Sequence, residues 1–457
     1  MTGTARQVAC TFDGGRTGQA RATWGQRAIW DAVAALAPQD AARYNVSGGG
    51  AVLPGYSAEQ VISAVSLLML RHESLRTRLA PGAAGELRQT LLGGGELAVT
   101  VVDCDSADEV EQEAEALLTR LAAEPFDTAV EWPIRLGIVE SAGTVRHLVF
   151  AIPHTAVDGW GLRHLVLDLA ELTVKGAQAS PVDALQPLDE AEYQASERGL
   201  RQDGKARRHW VAKAERGPRT LLAPRAELGE PAVFPNALLD SPALARAVPL
   251  VSAHLSASPA TLLLAAAASM FGRLSGSNEV LFQVVVNNRF LPGLKQAVST
   301  VAQEGLFHLE VRDVPFAELV HAAAGASLAT YRYAYYDKSR LDADLAGLGE
   351  PGADLSCFVN DTRGLMPEME PKPADEATTI APGSLDELRG RTELRWPVEF
   401  PPRPNVSFAL DAVDLPGSLG LTMTADPSRL PRPDMERVLF GMEELIVDEA
   451  LRLPDHG

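Results

Sequence analysis

The residues best able to do chemistry stand close together in Ala151–Gly161, AIPHTAVDGWG. His154 follows an apolar run, and Asp158 and Gly159 come four and five places later. An imidazole titrates near neutrality, so a histidine held at the mouth of a strand can take a proton from a nucleophile. Asp158 invites reading as the group that orients that ring, in the manner of a triad. Gly159 permits close backbone approach, and its N–H could stabilise a tetrahedral oxyanion. The same residues also admit a plainer account, a satisfied core histidine followed by an ordinary Asp-Gly turn.

Such residues need elements to hold them. VRHLVFAI before the histidine reads as a strand, with RLGIVE as another. GLRHLVLDLAEL after it reads as a helix with Leu162, Leu165, Val166, Leu169 and Leu172 on one face. Upstream, LAVTVVD (97–103) alternates as a strand, and DEVEQEAEALLTRLAAEPF reads as an amphipathic helix stopped by Pro125. TWGQRAIWDAVAAL reads as a helix with Trp24, Ala28 and Ile29 on one face. Ser57 and Gln60 have capping-box spacing and open an apolar helix predicted to run through QVISAVSLLMLRHESLRTRL. Residues 1–21, rich in Gly, Thr and Arg without periodicity, read as a loose arm.

The mixed Gly, Ala, Ser, Pro and Asp stretch from Gly176 to Leu188 marks a change of domain, giving an N-terminal lobe at 22–177 and a C-terminal lobe at 178–457. There the rhythm restarts. Ser258-Pro259 is a helix start, TLLLAAAASMFGRLSG a helix buried on all sides, and NEVLFQVVVNN a strand deep in a sheet. The expectation is an α/β fold of two related two-layer (α+β) lobes. Pro367–Thr392, rich in proline and charge, reads as a surface excursion.

Composition narrows the class. At 457 residues the chain has room for two or three domains. A hydrophobic share of 46% against 22% charged leaves ample material for a packed core. No run of about 18 apolar residues is present, so no membrane span is expected. The first residues lack the apolar centre of a secretory signal. Three cysteines, far apart, provide neither a disulfide framework nor metal-ligand spacing, which together with the missing signal favours the cytoplasm. A net charge of −19 argues against a nucleic-acid partner. Two lobes in one chain make a monomer the expected state.

The order of several segments carries a resemblance. TWGQRAIW (23–30), RHESLRTRL (71–79), EPFDTAVEWPIRLGIVE (124–140), PHTAVDGWG (153–161), HLSASPATLLLAAAASMFGRLSGSNEVLFQVVVNNR and LGLTMTADPSRLPRPDMERVLFGMEEL are similar, in that order, to successive motifs of nonribosomal peptide synthetase condensation domains. RHESLRTRL is close to the family's Arg-His-Glu-x-Leu-Arg-Thr, and PHTAVDGWG to its HHxxxDGxS signature. The resemblance implies two chloramphenicol-acetyltransferase-like lobes in a V-shaped pseudo-dimer, with the site in a tunnel at their junction. It implies that an acyl or aminoacyl thioester, carried on the phosphopantetheine arm of an acyl or peptidyl carrier protein, meets an amine or alcohol. That nucleophile is a small molecule or rides on a second carrier. No permanently bound cofactor and no metal are implied. The chain has no room for an adenylation domain and no carrier-type serine motif, so its partners are expected to act in trans on a free-standing enzyme.

By the same resemblance His154 is the catalytic histidine, with Gly159 as an oxyanion donor. Asp158 then takes a structural role, paired with an arginine across the lobes. Arg289 is the first candidate partner and Arg76 the alternative. Pro153 stands where the family has its first histidine, which puts in question how the strand end is held. Trp160, Gly161, Asn288, Gln303 in TVAQEGLF (300–307) and Asn360 in NDTRG (360–364) are the expected substrate contacts. Gly161 replaces the family's serine. Tyr331, Tyr333, Tyr335 and Tyr336 read as helix packing, and the basic run RQDGKARRHW (201–210) as a solvated helix face. Two other functions stay open: a catalytically silent module that recruits a carrier or partner enzyme, and an acyltransferase that uses coenzyme A directly.

Overall fold

The structure, a computed structural model, describes residues 4–52, 55–83, 85–225, 233–349, 352–365 and 384–453. By its contacts the chain divides into two compact units. The first comprises Met1–Gln202, Asn287–Ala302 and Asp337–Ser339; the second comprises Asp203–Val286, Gln303–Tyr336 and Arg340–Gly457. The change of unit thus falls later than the 177/178 boundary expected from composition. Packing after Gly176 explains the difference: Gln89 Nε2 donates to the Pro187 carbonyl at 3.0 Å, and the Trp24 N–H donates to Gln194 Oε1 at 2.9 Å.

Elements of the first unit are β1 (Thr4–Phe12), β2 (Gly18–Arg21), α1 (Trp24–Ala34), β3 (Asn45–Ala51), α2 (Ala58–Arg71), β4 (Thr77–Pro81), β5 (Leu87–Leu91), β6 (Gly95–Cys104), α3 (Val110–Ala122), β7 (Arg135–Ser141), β8 (Thr144–Pro153), α4 (Gly159–Lys175) and α5 (Pro187–Ala195). Helix α6 (Glu197–Ala214) follows. The main sheet runs β1-β6-β7-β8-β3, with only β6 and β7 parallel. Side chains alternate across it. Val99, Val101, Ile138, Leu148 and Ile152 pack with α2 and α4, whereas Val102, Val139 and Val149 pack with α3.

Two sequence expectations fail here. The arm read at 1–21 is not loose over its described residues, because from Thr4 on β1 pairs with β6, Thr4↔Asp103 to Phe12↔Gly95. Cys10 and Phe12 are buried and Val8 packs beside them, a period-two signal blurred by Ala9, which is apolar but lies on the other face. The helix opened by Ser57 has its capping box with Gln60 but stops at Arg71. His72 is extended, Glu73–Arg76 form a 3₁₀ turn, and β4 begins at Thr77. The cause is tertiary. Arg71 and His72 both bond Asp168 on α4, with His72 Nε2 at 2.7 Å, and Glu73 pairs with Arg16 at 2.9 Å. Burial holds the His72 imidazole below its usual pKa against the pull of Asp168.

The second unit contains β9 (Phe234–Ser241), α7 (Pro242–His254), α8 (Pro259–Ser275), β10 (Glu279–Val286), β11 (Gln303–Glu310), α9 (Phe316–Arg332), α10 (Lys338–Ala346, whose first two residues belong to the first unit), β12 (Cys357–Asp361), α11 (Leu385–Arg389), β13 (Glu393–Phe400), β14 (Phe408–Leu415), β15 (Ser418–Ala425) and α12 (Arg432–Leu451). Its sheet runs β11-β10-β12-β14-β15-β9-β13. Ser258 caps α8 by accepting from the Thr261 N–H, with Pro259 in the first turn, and every residue from Thr261 to Gly272 is buried. Phe271 of α8 stacks on Phe408 with centroids 4.0 Å apart. Of the surface excursion read at 367–392, residues 367–383 lie outside the described residues; beyond them α11 buries Leu388 completely. Tyr335 and Tyr336 are buried, and Tyr333 stacks on His209 of α6 at 4.3 Å.

Strands β10 and β11 form an antiparallel pair closing at Val286↔Gln303. The sixteen residues between them, Asn287–Ala302, leave the second unit and count by their contacts with the first. That loop is what meets His154.

Candidate active site

His154 is the first residue past β8, half-buried, and its backbone is fixed at both ends. Its N–H donates to the Tyr44 carbonyl at 2.9 Å, and its carbonyl accepts from the Thr300 hydroxyl. Nδ1 lies 2.9 Å from the Val157 carbonyl oxygen. A carbonyl only accepts, so Nδ1 carries the proton, and the neutral ring keeps its lone pair on Nε2. Orientation of the imidazole therefore comes from a backbone oxygen and not from a carboxylate.

Asp158 points elsewhere. It is the N-cap of α4 and accepts from the Gly161 N–H at 2.7 Å. The N–H groups of Val301 and Ala302 donate to Oδ2 at 2.9 and 2.8 Å. Arg289 completes the cage with Nη1 at 3.0 Å from Oδ2 and Nη2 at 2.8 Å from Oδ1. Burial alone would push this carboxyl up; the Arg289 guanidinium and the Gly161 and Ala302 N–H groups outweigh it and hold the carboxyl below the usual carboxylate range. The triad reading of Asp158 is corrected, since its oxygens are spent on these donors. The pair also lies inside the first unit, where both residues belong.

Arg76 is not the partner. It is buried and gives Nε to the Met69 carbonyl at 2.7 Å and Nη1 to the Leu92 and Arg16 carbonyls. Burial lowers its pKa, with Glu73 opposing. The residues that hold Asp158 explain the departure from the family pattern at Gly161. A Cβ on Gly161 would lie 2.9 Å from Val157 Cγ2, 3.0 Å from Arg289 Nη2 and 3.1 Å from the Ser299 oxygen. Glycine lets the guanidinium come this close. Asn288 sits at φ 56° in the left-handed region, which asparagine tolerates, and its amide donates to the Val301 carbonyl at 2.9 Å.

Pro153 leaves the strand end secure. It pairs with Asn45 across β3 and β8 as a position whose N–H would face away from β3, toward β7. The β7–β8 ladder has ended by then, at Arg135↔Ala151. A proline there gives up no ladder bond.

His154 lines a cavity of about 270 Å³ together with Trp30 and Val33 of α1, Tyr44, Phe126 and Pro153. Its ring and that of Tyr44 are 6.3 Å apart between centroids. The other expected substrate contacts are not among the described residues that line it. Trp160 is half-buried in the first turn of α4, and Gly159 opens that helix. Asn288 is fully buried. Gln303 is tied to the Tyr336 backbone, donating at 2.9 Å and accepting at 3.3 Å. Asn360 lines a separate cavity of about 50 Å³ in the second unit and bonds Asp411, whose carboxyl burial raises. Sequence reasoning missed Tyr44, Thr300 and the N–H groups of Val301 and Ala302. Backbone donors leave no trace in residue type, and Thr300 lay in TVAQEGLF, where only Gln303 stands out as an expected contact.

Known proteins resemble this chain in the same terms. The family model described as "Condensation domain" matches residues 23–349. Isonitrile lipopeptide synthase of Mycobacterium tuberculosis is 27% identical over 297 residues, covering 61% of this chain and 12% of that protein. Phosphinothricin tripeptide synthetase PhsC of Streptomyces viridochromogenes is 26% identical over 282 residues, covering 57% of this chain and 25% of that protein. The chain thus spans a quarter or less of the length of these two relatives. The condensation domain from Monacolin K polyketide synthase MokA superposes with a TM-score of 0.72 at 18% identity, covering 95% of this chain and 98% of that one, a likeness of fold. With its family model matched over most of the sequence and its fold shared, this chain belongs to the condensation-domain family.

Proposed function

We propose that this chain joins an acyl or aminoacyl thioester, borne on the phosphopantetheine arm of a carrier protein supplied in trans, to an amine or alcohol. Condensation domains as a family form amide or ester bonds and work with carrier proteins. The observation that carries the reading for this chain is the state of His154: Nδ1 is committed to the Val157 carbonyl, which leaves Nε2 as the acceptor on a side chain that lines a cavity. The nucleophile attacks the thioester carbon and yields its proton to Nε2. The C–S bond breaks, the thiolate takes up a proton, and amide or ester plus free carrier thiol result. The Gly159 N–H, at the positive end of α4, is assigned to the oxyanion. Asp158 and Arg289 hold the loop and touch no substrate.

Pro153 in place of the family's first histidine does not favour a silent module, because its missing donor leaves no ladder bond unmade. The test is turnover. An acyl-loaded carrier plus nucleophile should yield product, and His154→Ala should slow it by about 10²–10⁴-fold, the usual contribution of a general base. An unchanged rate in that variant removes the assignment, and equal turnover of free coenzyme A thioesters moves the chain to the coenzyme A-dependent class.

A further inference from the structure

Residues 125–129 form part of the wall of the cavity that His154 lines, and they are well anchored. Phe126 lies under the Arg135 guanidinium, whose carbon is 3.9 Å from the ring centroid. Arg135 donates to the carbonyls of Leu121, Glu124 and Pro125 at 3.1, 2.8 and 3.0 Å and to both carboxylate oxygens of Glu131. Thr128 makes two bonds to Leu79 of β4, its carbonyl accepting from the Leu79 N–H at 2.9 Å and its hydroxyl donating to the Leu79 carbonyl at 3.2 Å. Asp127 is held too, its N–H on Glu131 at 2.9 Å and its Oδ1 accepting from the Ala129 N–H at 3.1 Å. A loop tied down this way is a preformed surface, so it binds without first being ordered.

From this wall, the apolar side chains of Trp30, Val33 and Pro153 and the volume between them, we infer that the cavity receives an uncharged apolar group of one reacting substrate and that Phe126 limits its length. This rests on His154 being the reacting base, because the cavity is the space that this ring lines. Benzene, with six carbons, fills an engineered cavity of about 150 Å³. On that scale 270 Å³ accepts about ten non-hydrogen atoms, a medium-length chain rather than a small acyl group. Arg135 is a positioning residue, acting through Phe126.

The experiment measures binding without turnover, by quenching of tryptophan fluorescence checked by titration calorimetry. One arm uses amide analogues of S-acyl-pantetheine from acetyl to dodecanoyl; the other uses n-alkylamines of the same lengths. Complete burial of a methylene tightens binding about fourfold, and a groove open on one side should give about twofold per carbon. The expected result is such a gradation in one arm, levelling off near eight to ten carbons, with the arm identifying the reactant. Ala129→Trp, an exposed lining position, should move the plateau to shorter chains, and Phe126→Ala to longer ones. Affinity independent of length in both arms, or a plateau that neither variant moves, overturns the inference. A chain that condenses acetyl donors yet binds the series without gradation fails this inference alone; graded binding without condensation fails the proposed function alone.

Discussion

Replacing Arg289 by methionine should expose the energetics of the whole loop. The guanidinium makes two contacts at 3.0 and 2.8 Å with a carboxylate that is 2% exposed. Removing one member of a buried ion pair costs about 3–5 kcal/mol, because the other charge stays desolvated. Here three backbone N–H groups remain on Asp158, so the lower end, about 3 kcal/mol, is expected. With a urea slope of about 3 kcal/mol/M, the unfolding midpoint falls by about 1 M. The pH dependence should change sign. In the native chain the folded carboxyl titrates below its unfolded value, so its stabilisation is complete above about pH 4 and is lost as pH falls through the folded pKa. Without Arg289, burial dominates and lifts the folded pKa above the unfolded one; stability then declines as pH rises from about 4 through that raised value. Asp158→Asn combined with R289M should recover about half of the loss. Urea unfolding followed by circular dichroism between about pH 2 and 7 reads all three effects. A loss under about 1 kcal/mol, or a double variant no better than the single one, refutes the unpaired-charge reasoning.

Two further substitutions probe the same neighbourhood. Gly161→Ser restores the family residue but sets a Cβ about 3 Å from Val157, Arg289 and Ser299, so it should destabilise by about 1–3 kcal/mol in thermal or urea unfolding. Asn288→Val should cost about 1–3 kcal/mol by forcing a β-branched residue to φ 56°, whereas Asn288→Gly trades relief of that backbone against the bond to Val301 and should be within about 1 kcal/mol of native.

Much of the positioning frame was legible because it rests on local rules. Ser57, Ser258 and Pro259 mark helix starts through side chains that cap or pre-set a first turn, and these act within four residues of themselves. The strand to His154 and the helix after it followed from periodicity alone. What could not be read is tertiary. Nothing local says that α2 stops at Arg71; the partner that draws Arg71 and His72 away is Asp168, almost a hundred residues on. Asp158 looked like a triad member because the sequence shows its distance from His154 along the chain but not the N–H groups of Val301 and Ala302. Arg289 was placed by resemblance, and the amides of Asn288 and Gln303 meet backbone, for a reason that spacing does not contain.

The loop Asn287–Ala302 carries a lesson for anyone recombining such chains. It departs from one unit's hairpin, yet supplies the Thr300 hydroxyl and the amides that cradle the Asp158 turn. A chimera joined anywhere between Gly159 and Val286 would inherit its histidine from one parent and the clasp around it from the other. Crossovers in relatives of this kind should therefore keep residues 153–161 and 287–302 from a single source, however far apart they lie along the gene.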